Sequence, residues 1–256
     1  MSPPANQVVR HIVIAARRDT VFRFFTDPAR FAAWWGAGST VDARVGGALR
    51  IVYPNGQTAA GEVRELVPGE RIVFTYGYPD GRMGLPEGGS TVEVDFAEVP
   101  AGTRVTLRHT VGNPELARNH GPGWSFQLAL YAKVATAEQH AGAEAIVDRY
   151  FAAWAEPDAA ARREALAACC TDGVTFRNDF GALEGRDELA AHIASTQAHM
   201  PGLRPVRTGP VAHSQGAALV RWQAQRPDGV VAGGGTNFVD FAPDGKIARV
   251  AGFWGF

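Results

Sequence analysis

Residues 34–47 read WWGAGSTVDARVGG, and they mark the point where helix gives way to strand in the N-terminal half of the chain. Asp27 is expected to cap the helix that leads into this stretch, because a carboxylate accepts hydrogen bonds from exposed backbone N–H groups. Pro28 then occupies the first helical position, where a missing N–H costs nothing. We expect the helix to end near Gly36 and a run of strands to begin at Gly47.

The elements around this stretch follow the order strand, two short helices, strand meander and long helix. Val8–Ile14 is the predicted first strand, and Asp19 is expected to cap a short helix over Thr20–Phe25. Turn signals such as Asn55-Gly56 and Pro68-Gly69 separate the strands of the meander. These strands are predicted at Gly47–Tyr53, Thr58–Val67, Arg71–Tyr78, Ser90–Glu98 and Arg104–Thr110.

A long helix is predicted to close this half. It begins at Pro114 or Gly121 and runs to about Ala137. Its apolar side chains at i, i+4 and i+7 form one stripe that suits packing on a sheet. They are Trp124, Leu128 and Tyr131.

Four motifs in this order of elements resemble the Hsp90-ATPase-activator-like (AHSA1-type) branch of the START-like helix-grip, or SRPBCC, superfamily. They are Trp34-Trp35-Gly36, Asp42–Gly47, Gly61-Glu62-Val63 and Gly123-Trp124. The resemblance implies an antiparallel sheet that grips the long C-terminal helix, with a cavity between sheet and helix.

The second half begins with helices and ends with strands. Helices are predicted over Ala143–Ala155, from an Asp158 cap through Cys170, and over Arg186–His199. Strong hairpin signals at Asp228-Gly229 and Asp244-Gly245 divide the later strands. The strands are predicted at Val174–Asn178, Leu203–His213, Ala217–Arg226, Val230–Phe241 and Lys246–Trp254.

This order, together with Val147–Tyr150 and Asp244–Ile247, resembles the NTF2-like superfamily and, within it, the SnoaL-like and ketosteroid-isomerase branches. Thr136–Gly142 is the expected boundary between the halves. The sequence therefore predicts an α+β protein of two domains, a helix-grip domain at 1–139 and an NTF2-like cone at 140–256.

Composition narrows the classes of partner. The chain has 256 residues, a net charge of -1 and no basic tract, which argues against nucleic acid and an anionic membrane surface. No apolar run approaches the roughly 20 residues that span a bilayer. The N-terminus lacks the pattern of a signal peptide, so we expect a cytoplasmic bacterial protein.

The two cysteines, Cys169 and Cys170, are adjacent. This spacing excludes a disulfide framework and a zinc site built from spaced thiolates. No His-x-x-x-His or carboxylate cluster at metal spacing occurs, so we expect neither metal nor cofactor.

The resemblance to ketosteroid isomerases supplies candidate catalytic residues. It places Tyr150 at the oxyanion tyrosine, Asn237 at the oxyanion aspartic acid and Asn178 at the general base. Asn237 can still donate a hydrogen bond, whereas Asn178 cannot take a proton. Asp179 is the adjacent carboxylate. Neighbouring side chains in an extended chain point to opposite faces, so Asp179 is expected to point away from the cavity of the NTF2-like cone.

Histidines and aromatic residues complete the candidate set. His192 is a candidate acid or base, with a partly exposed helix histidine as the alternative. His109 lies on the same apolar strand face as Val105 and Leu107. Its imidazole either contacts a ligand or is a core histidine whose hydrogen bonds are made within the protein. Phe74, Tyr76 and Tyr78 share a strand face that either floors a pocket or packs the long helix. The candidate ligand contacts are Trp35, Tyr76, His109, Trp124, Trp154, Asn178, Trp222 and Trp254.

Three functions fit these features. The first is a two-domain binder of a small, largely apolar ligand, with cofactor-free acid–base chemistry in the C-terminal pocket. The second is a polyketide-cyclase or isomerase-like enzyme. The third is a chaperone-associated interaction protein, which predicts a docking face and no large cavity.

A dimer contact is a further candidate. On the strand Ala217–Arg226, Arg221, Gln223 and Gln225 are predicted to form a polar face opposite a buried one. This face is the candidate contact of a homodimer.

Overall fold

The computed structural model describes residues 4–255 and divides into two compact units between Glu138 and Gln139. Each unit has its own hydrophobic core. The predicted α+β class is confirmed in both.

The N-terminal unit is one sheet of seven antiparallel strands with helices on it. Its sheet order is β1-β7-β6-β5-β4-β3-β2. The bounds are β1 (Gln7–Ile14), α1 (Arg18–Arg23), α2 (Pro28–Trp35), β2 (Thr40–Val41), β3 (Ala48–Val52), β4 (Thr58–Val67), β5 (Arg71–Tyr76), β6 (Ser90–Val99), β7 (Gly102–Thr110) and α3 (Pro114–Gln139).

The long helix α3 buries the stripe that the sequence predicts. Trp124, Leu128 and Tyr131 are at most 5% exposed and belong to the same core cluster as the strands. The Tyr131 hydroxyl donates a 2.7 Å hydrogen bond to the carbonyl of Val21, which ties α3 to α1. A buried tyrosine needs such a partner for its hydroxyl.

The helix caps agree with the sequence in one case and differ in the other. Asp27 accepts a hydrogen bond from the backbone N–H of Arg30 and Pro28 opens α2, as predicted. The prediction that Asp19 caps α1 is wrong. The helix begins two residues earlier, at Arg18, with Arg17 at its N-cap, so Asp19 lies inside the first turn.

The C-terminal unit places three helices against a second sheet, of order β10-β12-β13-β14-β8-β9 with β11 paired to β12. All described pairs are antiparallel except β14 with β8. The bounds are α4 (Ala143–Ala155), α5 (Ala159–Cys169), β8 (Cys170–Asn178), β9 (Gly181–Glu184), α6 (Arg186–His199), β10 (Arg204–Arg207), β11 (Ala212–Ser214), β12 (Ala217–Gln225), β13 (Val231–Phe241) and β14 (Ile247–Trp254).

Two details of this unit differ from prediction. The strand expected over Leu203–His213 is two short strands, β10 and β11, that pair with different parts of β12. The short strand β9 was not predicted, because its four residues, Gly-Ala-Leu-Glu, include no β-branched or aromatic residue.

The alternation on β12 is as predicted. Ala218, Val220, Trp222 and Ala224 are buried, and the residues between them face outward. The buried face is the one that borders the cavity described next.

Candidate functional site

The C-terminal unit encloses a cavity of about 530 Å³ between its helices and the inner face of its sheet. This volume lies within the range of small-molecule sites. Its lining comes from α4, β8, α6, β10, β12, β13 and β14. The main lining residues are Tyr150, Phe151, Trp154, Phe176, Asn178, Phe180, His192, Thr196, Met200, Leu203, Trp222, Asn237, Gly252 and Trp254.

The walls are largely aromatic rings in edge-to-face or tilted contact. Trp222 and Trp254 lie 4.8 Å apart at an interplanar angle of 87°. On the opposite side Trp154 packs against Phe176 at 5.7 Å and against His192 at 5.9 Å. Such pairs add to the stability from burial and hold their rings in fixed positions.

Asn237 lines the cavity, and Trp222 orients its side-chain amide. Its Oδ1 accepts a 2.9 Å hydrogen bond from Trp222 Nε1. An indole N–H can only donate, so this contact fixes the orientation of the amide. Within the described residues the Asn237 NH₂ group has no hydrogen-bond partner, and it remains free to donate to a guest.

Asn178 is arranged in the same way. Its Oδ1 accepts a 2.9 Å hydrogen bond from the backbone N–H of Phe180, which closes a turn and leaves the amide NH₂ without a described partner. Gly252 lies between the two asparagines. A Cβ built there would be 3.2 Å from Asn237 Oδ1 and 3.5 Å from Asn178 Cβ. Gly252 therefore leaves space beside the amide oxygen of Asn237 and the Cβ of Asn178.

The glycine run of β13 makes room for the aromatic wall. Trp222 pairs with Gly235 across β12 and β13. A Cβ at Gly235 would lie 2.9 Å from the Trp222 ring and 2.1 Å from the carbonyl oxygen of Phe253. The strand β13 also contains a bulge next to this run, because Ala224 of β12 pairs with Gly233 and the next residue, Gln225, pairs with Val231.

His192 lies at the cavity wall and is the candidate proton acceptor there. Burial lowers the pKa of His192 below its usual value, so the ring is neutral near pH 7. No hydrogen bond engages its nitrogens in the part of the chain that the structure describes. A neutral, unpaired imidazole is chemically suited to accept a proton.

The structure places Tyr150 in the cavity lining and Asp179 outside it. The Tyr150 ring lines the cavity, but its hydroxyl is buried and has no partner among the described residues. Burial raises the pKa of Tyr150 well above its usual range, so it stays protonated. Asp179 is exposed in the turn after β8 and does not line the cavity.

A smaller cavity of about 240 Å³ lies in the N-terminal unit. Its lining includes Trp35, Tyr76 and Trp124, which are three of the predicted contacts, but not His109. Other residues at this cavity are Tyr53, Tyr78, Met83, His120 and Gln127.

Both ring nitrogens of His109 are used inside the protein. Trp124 Nε1 donates to Nδ1 at 2.9 Å, which requires the proton on Nε2. Nε2 is 2.7 Å from Ser90 Oγ, and that hydroxyl donates to the carbonyl of Tyr76 at 2.7 Å. His109 therefore has no nitrogen left for a guest, and it fixes the position of Trp124 in the wall.

Family models match the two halves separately. Residues 15–132 match the model described as activator of Hsp90 ATPase homolog 1-like protein, and residues 147–250 match the model described as SnoaL-like domain. The chain resembles these two families in series. The predicted resemblances are thereby confirmed, and we refer below to the AHSA1-like half and the SnoaL-like half.

Solved structures similar to single halves include three from bacteria. A putative isomerase of the SnoaL-like family from Agrobacterium tumefaciens is 28% identical over 46% of this chain and 99% of its own, with a TM-score of 0.43. Protein CV1439 from Chromobacterium violaceum is 32% identical over 50% and 96%, with a TM-score of 0.41. CalU16 from Micromonospora echinospora is 25% identical over 52% and 81%, with a TM-score of 0.41. No curated protein matches the chain.

Metal and membrane features are absent from the described residues. Within 4–255 there is no group of three or more His, Cys, Asp or Glu side chains arranged to hold a metal ion. None of the helices in that range is long and apolar enough to cross a membrane.

Some lining residues of the SnoaL-like half were not predicted. Thr196 on α6 and Met200 at its C-cap follow His192 at i+4 and i+8, so the helical period would have revealed them once His192 was placed at the wall. Gly252 carries no such signal. Its role comes from its register opposite Asn237.

Proposed function

We propose that the SnoaL-like half binds a small, largely apolar molecule that carries a carbonyl group. The observation behind this proposal is that one aromatic-walled cavity is lined by Asn178 and Asn237, whose amide NH₂ groups have no hydrogen-bond partner among the described residues. Apolar walls give affinity, and a few placed donors orient a ligand. The size of the cavity argues against the chaperone-interaction alternative, which predicts no large cavity.

The same cavity supports proton transfer without a cofactor. His192, neutral at pH 7, would take a proton from the carbon next to the carbonyl group. The electrons of that C–H bond move to the carbonyl oxygen, where the amides of Asn178 and Asn237 would stabilise the enolate. Where the enolate is conjugated with a C=C bond, return of the proton from His192 to the far carbon gives an isomerase. Attack by the enolate carbon on a second carbonyl group breaks its C=O π bond and forms an alkoxide, which takes the proton back from His192 and completes a cyclase reaction.

Hydrogen–deuterium exchange tests this chemistry without knowledge of the natural substrate. The α-protons of 2-tetralone, a two-ring ketone, exchange in D₂O through its enolate, and NMR follows the exchange. We expect the protein to accelerate exchange, and we expect His192→Gln and Asn237→Leu to lose the acceleration. Binding of 2-tetralone without faster exchange would overturn the chemistry and leave a binding protein.

We also propose that the outer sheet face of the SnoaL-like half forms a homodimer contact. Leu219 and Phe253 on this face are 52% and 54% exposed. Leu219 pairs across the ladder with Phe238, whose ring lies 5.3 Å from the guanidinium of Arg249. Exposed apolar groups among polar neighbours are typical of an interface.

A further inference from the structure

Arg162 on α5 is a buried cation whose hydrogen bonds go to uncharged groups. Only 4% of the residue is exposed. Its Nη1 donates to the backbone carbonyl of Glu156 and to Oε1 of Gln197, each at 2.8 Å. Its Nε has no hydrogen-bond partner among residues 4–255. A buried charge is costly unless it is well paired, so an arginine in this position calls for an explanation.

The C-terminal end of α4 supplies the acceptors. The helix ends at Ala155 with Glu156 as its C-cap. The last carbonyl groups of a helix lack partners within the helix and form the negative end of its dipole. Arg162 donates to one of them, and Gln197 Nε2 donates to the carbonyls of Trp154 at 2.9 Å and Glu156 at 3.0 Å. The helix end thus takes the place of a carboxylate partner.

Arg162 also determines the orientation of the Gln197 amide. A guanidinium can only donate, so the amide atom that faces Arg162 must be the oxygen. The Gln197 NH₂ group is then directed to the two carbonyls at the end of α4. An inverted amide would lose all of these hydrogen bonds. Gln197 therefore joins α6 to α4 only in the orientation that Arg162 imposes.

This connection lies beside the candidate base. His192 and Gln197 are on the same helix, α6, and both line the cavity. Gln197 bonds to the backbone carbonyl of Trp154, while the indole ring of Trp154 lies 5.9 Å from the imidazole of His192. Phe176 on β8 also contacts the imidazole, at 5.5 Å. With no hydrogen bond to hold it among the described residues, the imidazole depends on these rings, and so on the spacing of α4 and α6.

The protonation state of His192 depends on the same spacing. None of the described residues that line the cavity is Asp, Glu, Lys or Arg, and the other titratable groups in the lining are Tyr150 on α4 and His199 on α6. Burial is what lowers the pKa of His192. Water admitted between α4 and α6 would raise that pKa towards its usual value of 6.5.

We propose that Arg162 is a positioning residue for His192, acting through Gln197, which it orients so that α6 is joined to the end of α4. Arg162 does not line the cavity, so it has no part in contacting a ligand. The inference rests on the proposed function, in which His192 is the base of the SnoaL-like half.

NMR of full-length protein labelled with ¹³C-histidine provides the test. The His192 resonance is assigned from its loss in His192→Gln, and its shift against pH gives the pKa. We expect Arg162→Met to raise this pKa towards the usual value and to slow α-proton exchange of 2-tetralone roughly 10- to 100-fold. Arg162→Lys keeps a charged donor and should recover part of both.

Arg163→Met is the matched control. Arg163 follows Arg162 on α5, its side chain is 65% exposed, and its ion pair with Asp187 of α6 has a length of 3.9 Å. Exposed pairs of this kind contribute little. We expect Arg163→Met to change neither the His192 pKa nor the exchange rate, although it removes the same charge from the same helix.

A double variant decides whether Arg162 acts through Gln197. Gln197→Met should reproduce the effects of Arg162→Met, and Arg162→Met/Gln197→Met should be no worse than Gln197→Met alone, because both changes remove one connection. Additive shifts of the His192 pKa would instead assign the effect to the charge of Arg162 and overturn the proposal. If Arg162→Met fails to fold, Arg162→Lys and Gln197→Met carry the comparison.

The outcomes separate this proposal from the function on which it rests. Reduced stability of Arg162→Met and Gln197→Met towards urea, with an unmoved His192 pKa, would show a structural role only and overturn the proposal. A wild-type protein that does not accelerate exchange would contradict the proposed chemistry. The pKa comparison would still decide whether Arg162 and Gln197 position His192.

Discussion

Trp222 donates its indole hydrogen to Oδ1 of Asn237 at 2.9 Å, and both side chains are at least nine-tenths buried. This contact fixes the amide so that its NH₂ group points away from Trp222. Gly235 makes the contact possible, because any side chain there would meet the indole ring. The orientation of one amide thus depends on a donor from one strand and a glycine on the next.

Asn237→Leu should remove the enolate-stabilising donor and leave the Trp222 N–H unpaired. We expect α-proton exchange of 2-tetralone to fall about 100-fold, which is typical of losing one oxyanion donor. Thermal or urea unfolding should show a loss of about 1–3 kcal/mol. The double variant Trp222→Phe/Asn237→Leu should recover part of that stability without recovering exchange. Restored exchange in the double variant would refute the role of the amide.

His192→Gln should abolish exchange while the cavity keeps its volume. In the wild-type protein the rate should be constant around pH 7, because the neutral base is already present. It should fall as the pH drops through the lowered pKa of His192, below 6.5. Exchange rates measured in D₂O as a function of pH would show this decrease. An identical profile in His192→Gln would assign the base to another group.

Tyr150→Phe removes a buried hydroxyl that has no described partner. Because no hydrogen bond is lost, we expect stability to stay the same or rise by up to about 1 kcal/mol. Exchange should change less than about threefold, in contrast to the oxyanion role suggested by the family resemblance. Calorimetry and the exchange assay measure both. A 100-fold decrease in the exchange rate would instead support the oxyanion role of the Tyr150 hydroxyl.

His109→Gln should make the unfolding free energy of the AHSA1-like half less dependent on pH in the acidic range. Burial lowers the pKa of His109 to about 3, so the unfolded chain takes up a proton more readily than the folded one. The stability due to neutral His109 is complete above pH 6.5 and is lost as the pH falls towards 3. A slope of about 1.4 kcal/mol per pH unit should disappear in the variant, since glutamine can accept from Trp124 and donate to Ser90. Urea unfolding between pH 6 and 4 would show it, and an unchanged slope would contradict this assignment.

Phe253→Arg should weaken the proposed dimer. Phe253 is 54% exposed on the outer face, so the monomer should fold normally. Sedimentation velocity should show a dimer for the wild type and a shift to monomer for the variant. The exposed Phe180→Arg, in the turn after β8 and away from that face, is a matched control. A monomeric wild type at tens of micromolar would contradict the proposal.

Local chemistry made much of the fold predictable. The Asp27 cap and Pro28 are a local signal, and they fixed the start of α2. The helix over Arg186–His199 also agrees with its prediction, since Gly185 and Pro201 flank it. The strand β2 has two residues and only one buried side chain, too few for a period to appear.

The candidate site depended on long-range register, which a single sequence does not carry. Asn178, Asn237 and Gly252 are distant in the chain and meet because β13, β14 and β8 are adjacent. The direction of the Asn237 amide follows from Trp222 on yet another strand. His109 shows the converse, because its alternation correctly predicted burial, while its two partners could be known only from the packed structure.

The most direct test of the central claim is a titration of ¹⁵N-tryptophan-labelled protein with 2-tetralone. Trp222 and Trp254 lie on the cavity wall of the SnoaL-like half. We predict saturable shifts of both indole resonances with one dissociation constant. Unchanged resonances at saturating 2-tetralone, in a protein that remains folded, would contradict an open binding cavity in this half.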